Sequence, residues 1–241
     1  MAEPLLTLSG VNTKIGRYHI LHGVDFSVPR GGITMLLGRN GAGKTTTLRT
    51  IMGLWRAAEG RIVFDGTDIT RLPTPDIARL GIAYVPENMG IFADLTVREN
   101  LVLATRERAP DERRLQWIFG LFPALERFYA LAAGALSGGQ KQMLSIARAI
   151  IEPRKLILVD EPTKGLAPSI IRNMVTAFRE LKTTETTILL VEQNFMFAEN
   201  LGDGVAVMDG GKIRHAGSMP ALAADRALQQ RLLGLHLDAH Q

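Results

Sequence analysis

The sequence predicts an α/β fold in which a parallel sheet, covered by helices, carries a phosphate-binding site at the carboxyl ends of its strands. Three observations predict it. Gly38 to Thr45 reads GRNGAGKT, between an apolar run at Ile33 to Leu37 and a stretch without a breaker from Thr45 to Met52. Leu156 to Val159 (LILV) is apolar throughout and leads into Asp160 and Glu161. Leu136 to Gln140 reads LSGGQ, ahead of apolar residues that recur at helical spacing at Met143, Ile146, Ala147 and Ile150.

Along the chain, Leu5 to Pro29 mixes short alternating segments such as Val24 to Val28 (VDFSV) with turn residues, and Arg61 to Phe64 (RIVF) runs into Asp65-Gly66. Both read as strands entering turns. Ile33 to Leu37 (ITMLL) is a buried-strand run, so the loop that follows joins a strand to a helix amino terminus. That context is what the pattern G-x-x-x-x-G-K-[ST] requires. Gly38, Gly41 and Gly43 stand where the backbone must bend tightly for successive amide NH groups to converge on phosphate oxygens. Lys44 supplies a charge to the β- and γ-phosphates, and the Thr45 hydroxyl is placed to ligate Mg²⁺. The candidate nucleotide-binding segment is therefore Gly38, Arg39, Asn40, Gly41, Ala42, Gly43, Lys44, Thr45 and Thr46. An ordinary glycine turn is the alternative, and the complete pattern between strand and helix outweighs it.

From Thr96 to about Phe128 the pattern is helical. Thr96 and Glu99 form a capping box ahead of Leu101, Val102 and Leu103, and a second helix is predicted from Asp111 to Phe122, before Pro123. In LSGGQ, Ser137, Gly138 and Gly139 put a hydroxyl and unobstructed amides at a helix start, which attracts an anion. A serine cap without a ligand explains that motif equally well when it is taken alone. LILV then delivers Asp160 and Glu161 to a strand end: Asp160 to hold the Mg²⁺ shell, directly or through water, and Glu161 to polarise a water for attack on the γ-phosphate. Without the phosphate loop, a solvated acidic pair would be the better reading. Ile188 to Val191 and Val205 to Met208 supply further buried strands, and Leu222 to Leu237 reads as a helical tail.

Together these motifs resemble the nucleotide-binding subunits of ABC transporters, from about Leu5 to Ala224. The resemblance implies a P-loop NTPase of ABC type, with a RecA-like parallel-sheet core, an amino-terminal antiparallel β-subdomain and a helical subdomain over about 90–140, all within one ATP-binding domain at 5–237. It also implies that two subunits bind ATP head to tail, so that Ser137, Gly138, Gly139 and Gln140 act on the nucleotide held by the partner's phosphate loop.

Four positions depart from the commonest motifs of that family. Glu87 follows Tyr84-Val85-Pro86 where a metal-linking glutamine is usual, so a carboxylate stands beside phosphates; it is a candidate Mg²⁺ ligand whose direct contact stays open. Gln193 occupies the slot of a histidine, and it can hydrogen-bond a γ-phosphate oxygen without carrying a cationic charge. The loop Pro162-Thr163-Lys164-Gly165-Leu166-Ala167-Pro168 lacks its aspartate. Ile15 stands where an adenine-stacking aromatic is usual; Tyr18 either substitutes for it or is a surface tyrosine. The combination of YVPE, GLAP and LLVEQN is similar to one of the two ATP-binding subunits of branched-chain amino acid uptake systems. The expected function is thus an ATPase subunit, using ATP and Mg²⁺, of an ABC importer for branched-chain amino acids or a related small amphiphile. A urea or amide importer and, further off, a non-transport ABC ATPase are the alternatives. Expected partners are permease subunits, a second cassette (a sister or a copy of this chain) and, indirectly, a periplasmic solute-binding protein.

Composition agrees. A chain of 241 residues with 46 % apolar content can bury a sizeable core. No apolar run approaches a membrane span and Met1 to Ser9 lacks the build of a signal peptide, so the expected location is peripheral, on the cytoplasmic face of a bacterial inner membrane. With no cysteine, disulfides, thiolate metal sites and cysteine nucleophiles are excluded. The net charge of +4 is dispersed rather than gathered into a basic run, so no nucleic-acid partner is expected.

Overall fold

The computed structural model describes residues 4–107 and 109–234. Its larger sheet has six strands. β3 (Ile33–Leu37), β6 (Ile82–Val85), β7 (Leu156–Asp160), β8 (Thr187–Glu192) and β9 (Gly204–Asp209) are mutually parallel, and β10 (Lys212–Ser218) is added antiparallel at one edge. The order is β10-β9-β3-β8-β7-β6. β8 therefore lies between β3 and β7, and the register sets Leu37 against Glu192 and Asp160 against Val191. The segments after β3, β7 and β8 emerge side by side at the carboxyl edge. That is where crossover topology leaves room for a ligand.

The runs that read as apolar are apolar because both sheet faces are covered. Ile33, Met35, Leu37, Ile157 and Val159 belong to one core, with helices α3 (Val97–Val102), α4 (Glu112–Leu121), α6 (Gly138–Ile150), α7 (Pro168–Thr183) and α8 (Phe195–Leu201). Leu36, Leu156 and Leu158 alternate onto the opposite face, into a second core. The second core is shared with α1 (Lys44–Ile51), α2 (Thr74–Arg79) and a four-stranded antiparallel sheet ordered β2-β1-β4-β5: β1 (Pro4–Ile15), β2 (Tyr18–Pro29), β4 (Ala57–Phe64) and β5 (Thr67–Asp68).

Expected elements and observed ones agree closely at β3, α1, β7, β8 and β9. The Thr96/Glu99 capping box forms, and α4 starts after Asp111, whose side chain accepts from the Arg114 amide. The strands β1 and β2 are each a continuous 12 residues rather than short segments, because bulges let them curve without breaking their pairing. As expected, α4 ends before Pro123; the proline then opens a short α5 (Pro123–Arg127) within the helical stretch, occupying the first position where its missing NH is no loss. One helical expectation is corrected. The tail expected as one helix over Leu222 to Leu237 is two, α9 (Met219–Ala224) and α10 (Arg226–Leu233). Asp225 breaks them and caps the second by accepting from the Leu228 amide. The end of that expected tail, like the end of the span 5–237, lies outside the described residues.

Candidate nucleotide site

Two glycines of the phosphate loop are required by close approach. A Cβ on Gly38 would lie 2.3 Å from the Met208 carbonyl oxygen, and one on Gly43, at φ +107°, would meet Leu21 at 3.0 Å and Met208 sulfur at 3.2 Å. The loop is thus clamped against β9 and β2, and Gly43 opens α1. No side chain caps that helix and no acid sits in its first turn, so its free amides face the loop's cavity.

That cavity, about 330 Å³, is lined by Asn40, Gly41, Gly43, Lys44, Thr45 and Thr46 from the loop, and by Ile20, Glu87, Glu161 and Lys164 from elsewhere. Lys44 is 4 % exposed. Its ammonium donates to the carbonyls of Gly38 (2.8 Å) and Arg39 (3.2 Å) and stands 3.3 Å from Glu161 Oε1. The Thr45 hydroxyl donates to Asp160 Oδ1 at 3.1 Å, and the Tyr84 hydroxyl to Asp160 Oδ2 at 3.2 Å. The Asp160 carboxyl is held above the usual carboxylate range, chiefly by burial. Hydrogen bonds from Thr45 and Tyr84 pull it down, and the charges of Glu161 and Glu87 add to the rise. Burial, with Asp160 beside it, pushes the Tyr84 hydroxyl up to about 12, so it remains a donor at neutral pH.

Glu161 has φ +47°, a strained conformation for a non-glycine residue, and its amide bonds to the Val191 carbonyl on the neighbouring strand. The Gln193 amide reaches across from the end of β8 and donates to Glu161 Oε1 at 2.8 Å. Gln193, Gly38 and Arg39 also line an adjoining cavity of about 170 Å³ with Phe195. Ala42 is buried in the second core.

The structure also places the remaining expected positions. Tyr18 is 70 % exposed at the start of β2 and is not among the cavity-lining residues, whereas Ile20 is. Glu87 lines the cavity while paired with Lys164 at 2.5 Å. Ser137 and Gln140 form a capping box at the start of α6, and Gly139 is packed so that a Cβ would fall 2.9 Å from Ile170; none of Ser137 to Gln140 lines the cavity of their own chain.

Sequence reasoning missed Tyr84, Lys164 and Glu192. Glu192 is buried at the end of β8; its Oε1 accepts from the Thr163 amide and hydroxyl, and its Oε2 from the amides of Gln193 and Asn194. It ties the loop after β7 to the loop after β8. The acid directly before Gln193 was the available signal. Lys164, three residues beyond Glu161, was visible only as a departure from a motif.

Among the described residues no group of three His, Cys, Asp or Glu is set to hold a metal ion. Thr45 and Asp160 offer a hydroxyl and a carboxylate side by side beside the phosphate loop. This fits Mg²⁺, which takes one or two protein oxygens and completes its shell with substrate phosphates and waters.

Residues 21–164 match the model of the ABC transporter family. The chain belongs to that family. It is similar to the high-affinity branched-chain amino acid transport ATP-binding protein BraG of Pseudomonas aeruginosa, 38 % identical over 95 % of this chain and 100 % of BraG. The probable branched-chain amino acid transport ATP-binding protein LivF of Archaeoglobus fulgidus is 34 % identical over 93 % of this chain and 97 % of its own. Among solved structures, an ATP-binding cassette of an ABC transporter in its ADP conformation superposes with a TM-score of 0.80 at 27 % identity, covering 97 % of this chain and 100 % of that one. The ABC chain described here is accordingly a nucleotide-binding ATPase subunit of an ABC transporter, with the P-loop ABC fold. Among its described residues no helix is long and apolar enough to cross a membrane.

Proposed function

We propose that this ABC subunit binds ATP with Mg²⁺ and hydrolyses it to drive import of branched-chain amino acids or a related small amphiphile. The observation that carries the catalytic part is the meeting of Lys44 and Thr45 with Asp160 and Glu161, two segments far apart in sequence, at one cavity of about 330 Å³. Lys44 and the amides at the start of α1 bind phosphate oxygens. Thr45 and Asp160 hold Mg²⁺, which when bound neutralises phosphate charge. Glu87 stands at the cavity as a further acid that can reach the metal's water shell. Glu161 takes a proton from the attacking water, and Gln193, bonded to it, keeps its Oε1 turned inward. For the solute, the support is the similarity to BraG and LivF alone.

Ser137 to Gln140 act on a second subunit's nucleotide. Their absence from their own chain's cavity supports this, and the capped, exposed start of α6 leaves the Gly138 amide free. The second subunit is a sister cassette or a copy of this chain. We read 5–237 as one ATP-binding domain with a helical subdomain over about 90–140. Permease subunits engage the groove of about 430 Å³ beside it, lined by Leu54, Pro86, Met89, Gly90 and Arg148. Of the neighbouring Ile91-Phe92 pair, Ile91 packs on the core and Phe92 is half exposed. The complex then sits on the cytoplasmic face of a bacterial inner membrane, served by a periplasmic solute-binding protein.

The test is reconstitution with the permease pair in vesicles, measuring ATP-dependent leucine and urea uptake. Leucine uptake supports the reading; urea uptake without leucine uptake overturns the solute. If copies of this chain pair, mixing Lys44→Ala and Ser137→Ala proteins should restore roughly one working site per mixed dimer, and inactive mixed dimers would refute action across the pair.

A further inference from the structure

The cavity holds an electrostatic oddity. A glutamate at position 87 adds a negative charge beside Asp160 and Glu161, where incoming phosphates are strongly anionic. Lys164 answers it. The ammonium is 2.5 Å from Glu87 Oε1 and 3.8 Å from Glu161 Oε2, and it lines the same cavity as both. Its position comes from the loop and not from chance reach. The Lys164 amide bonds back to the Glu161 carbonyl at 3.2 Å, the preceding Thr163 is fixed by two hydrogen bonds to buried Glu192, and Gly165 turns the chain away at φ +70°. The two partners are 77 residues apart in sequence and meet across the mouth of the phosphate site.

We propose that Lys164 is a positioning residue that holds and neutralises Glu87, so that the pair presents to the nucleotide the near-neutral field of a single uncharged side chain. The proposal rests on the nucleotide site described above and assigns to Lys164 a role that acts through Glu87. Each single neutralisation then unbalances the site in a predictable direction. Loss of Lys164 leaves the carboxylates of Glu87 and Glu161 on the cavity lining, beside buried Asp160, with Lys44 as the one cation of the cavity's described lining. Loss of the Glu87 charge leaves Lys164 as an unopposed second cation.

The experiment is calorimetric titration of ATP into wild type, Lys164→Ala, Lys164→Arg, Glu87→Gln and the Lys164→Ala/Glu87→Gln double variant, with chelator and again with Mg²⁺. Both side chains are partly solvated, so the effects are modest at low ionic strength and shrink with salt. Without metal, Lys164→Ala should bind ATP about threefold more weakly, Glu87→Gln about threefold more tightly, and the double variant within about a factor of two of wild type. Lys164→Arg should behave as wild type. The ratio of affinity with Mg²⁺ to affinity without it should rise in Lys164→Ala and fall in Glu87→Gln, opposite movements that a merely structural role would not produce. Single variants that shift metal-free affinity in the same direction, or a Lys164→Ala protein indistinguishable from wild type at low salt, overturn the proposal. A wild-type chain that binds no ATP even with Mg²⁺ overturns the site assignment itself, which separates the two failures.

Discussion

Replacing Glu161 by glutamine tests whether the resting site is held shut by its own charges. Lys44 and Glu161 are 4 % and 8 % exposed and 3.3 Å apart, so their gross attraction at an effective dielectric constant of about 20 is about 5 kcal/mol. Desolvation of the two groups offsets most of this, leaving a net of about 1–2 kcal/mol that phosphate must overcome to recruit Lys44. Glutamine keeps the shape of the side chain, and its carbonyl can still accept from Gln193, while Lys44 keeps its bonds to the Gly38 and Arg39 carbonyls. The variant should therefore fold and bind ATP roughly tenfold more tightly. It should also hydrolyse ATP at least about a hundredfold more slowly, because an amide cannot take the proton. Calorimetric titration gives the affinity, phosphate release gives the rate, and a thermal melt confirms the fold. Near-wild-type turnover would refute the assignment of Glu161 as base; unchanged or weaker ATP binding in a folded variant would refute the competition argument.

Other outcomes follow from the same geometry. Asp160 has a folded-state pKa raised above its unfolded value, so its burial penalty is absent below the unfolded pKa and appears in full as pH rises through the folded one; Asp160→Asn should raise the melting temperature at pH 7 but not at pH 3, while abolishing Mg²⁺-dependent hydrolysis. Gln193→Leu removes a partly exposed hydrogen bond to Glu161 worth about 1 kcal/mol, so hydrolysis should fall about fivefold with ATP affinity retained, and an unchanged rate would mean the bond does not orient Glu161. Gly38→Ala forces a Cβ to within 2.3 Å of a backbone carbonyl and should lower the unfolding free energy by about 2 kcal/mol, measured by urea denaturation.

The sheet and the phosphate loop were legible because their causes are local. A strand covered on both faces must be apolar throughout, and a backbone that wraps phosphate must have glycine at fixed spacing. The capping box at Thr96 and the serine cap at Ser137 are likewise set within four residues. What escaped was fixed by partners distant in sequence. Tyr84 and Asp160 are 76 residues apart, Lys164 and Glu87 are 77 apart, and the clamp from Glu192 to Thr163 spans 29. The order β8-β7-β6 creates these meetings by placing the ends of three strands and the segments after them along one edge. The break at Asp225 escaped for the opposite reason. A good capping residue inside an apolar-periodic run is compatible with one helix or two until packing decides.

Two glutamates follow adjacent strands of this sheet, and their hydrogen bonds separate them where their sequence context does not. Glu192 is buried, and both oxygens accept bonds from four donors fixed by the backbone and by Thr163. A carboxylate so saturated has no accepting position left for a water. Glu161 has one amide bond from Gln193 and two ammonium neighbours, lines the cavity, and is held in a left-handed backbone conformation that aims it there. Its neighbours are shared: on the proposed function Lys44 also serves the phosphates, and Lys164 is paired with Glu87. On the proposed function, nucleotide that recruits Lys44 would take a partner from Glu161 and free its accepting capacity, while Glu192 ties the two loops together. That asymmetry, more than position after a strand, is the physical ground for assigning the base to Glu161.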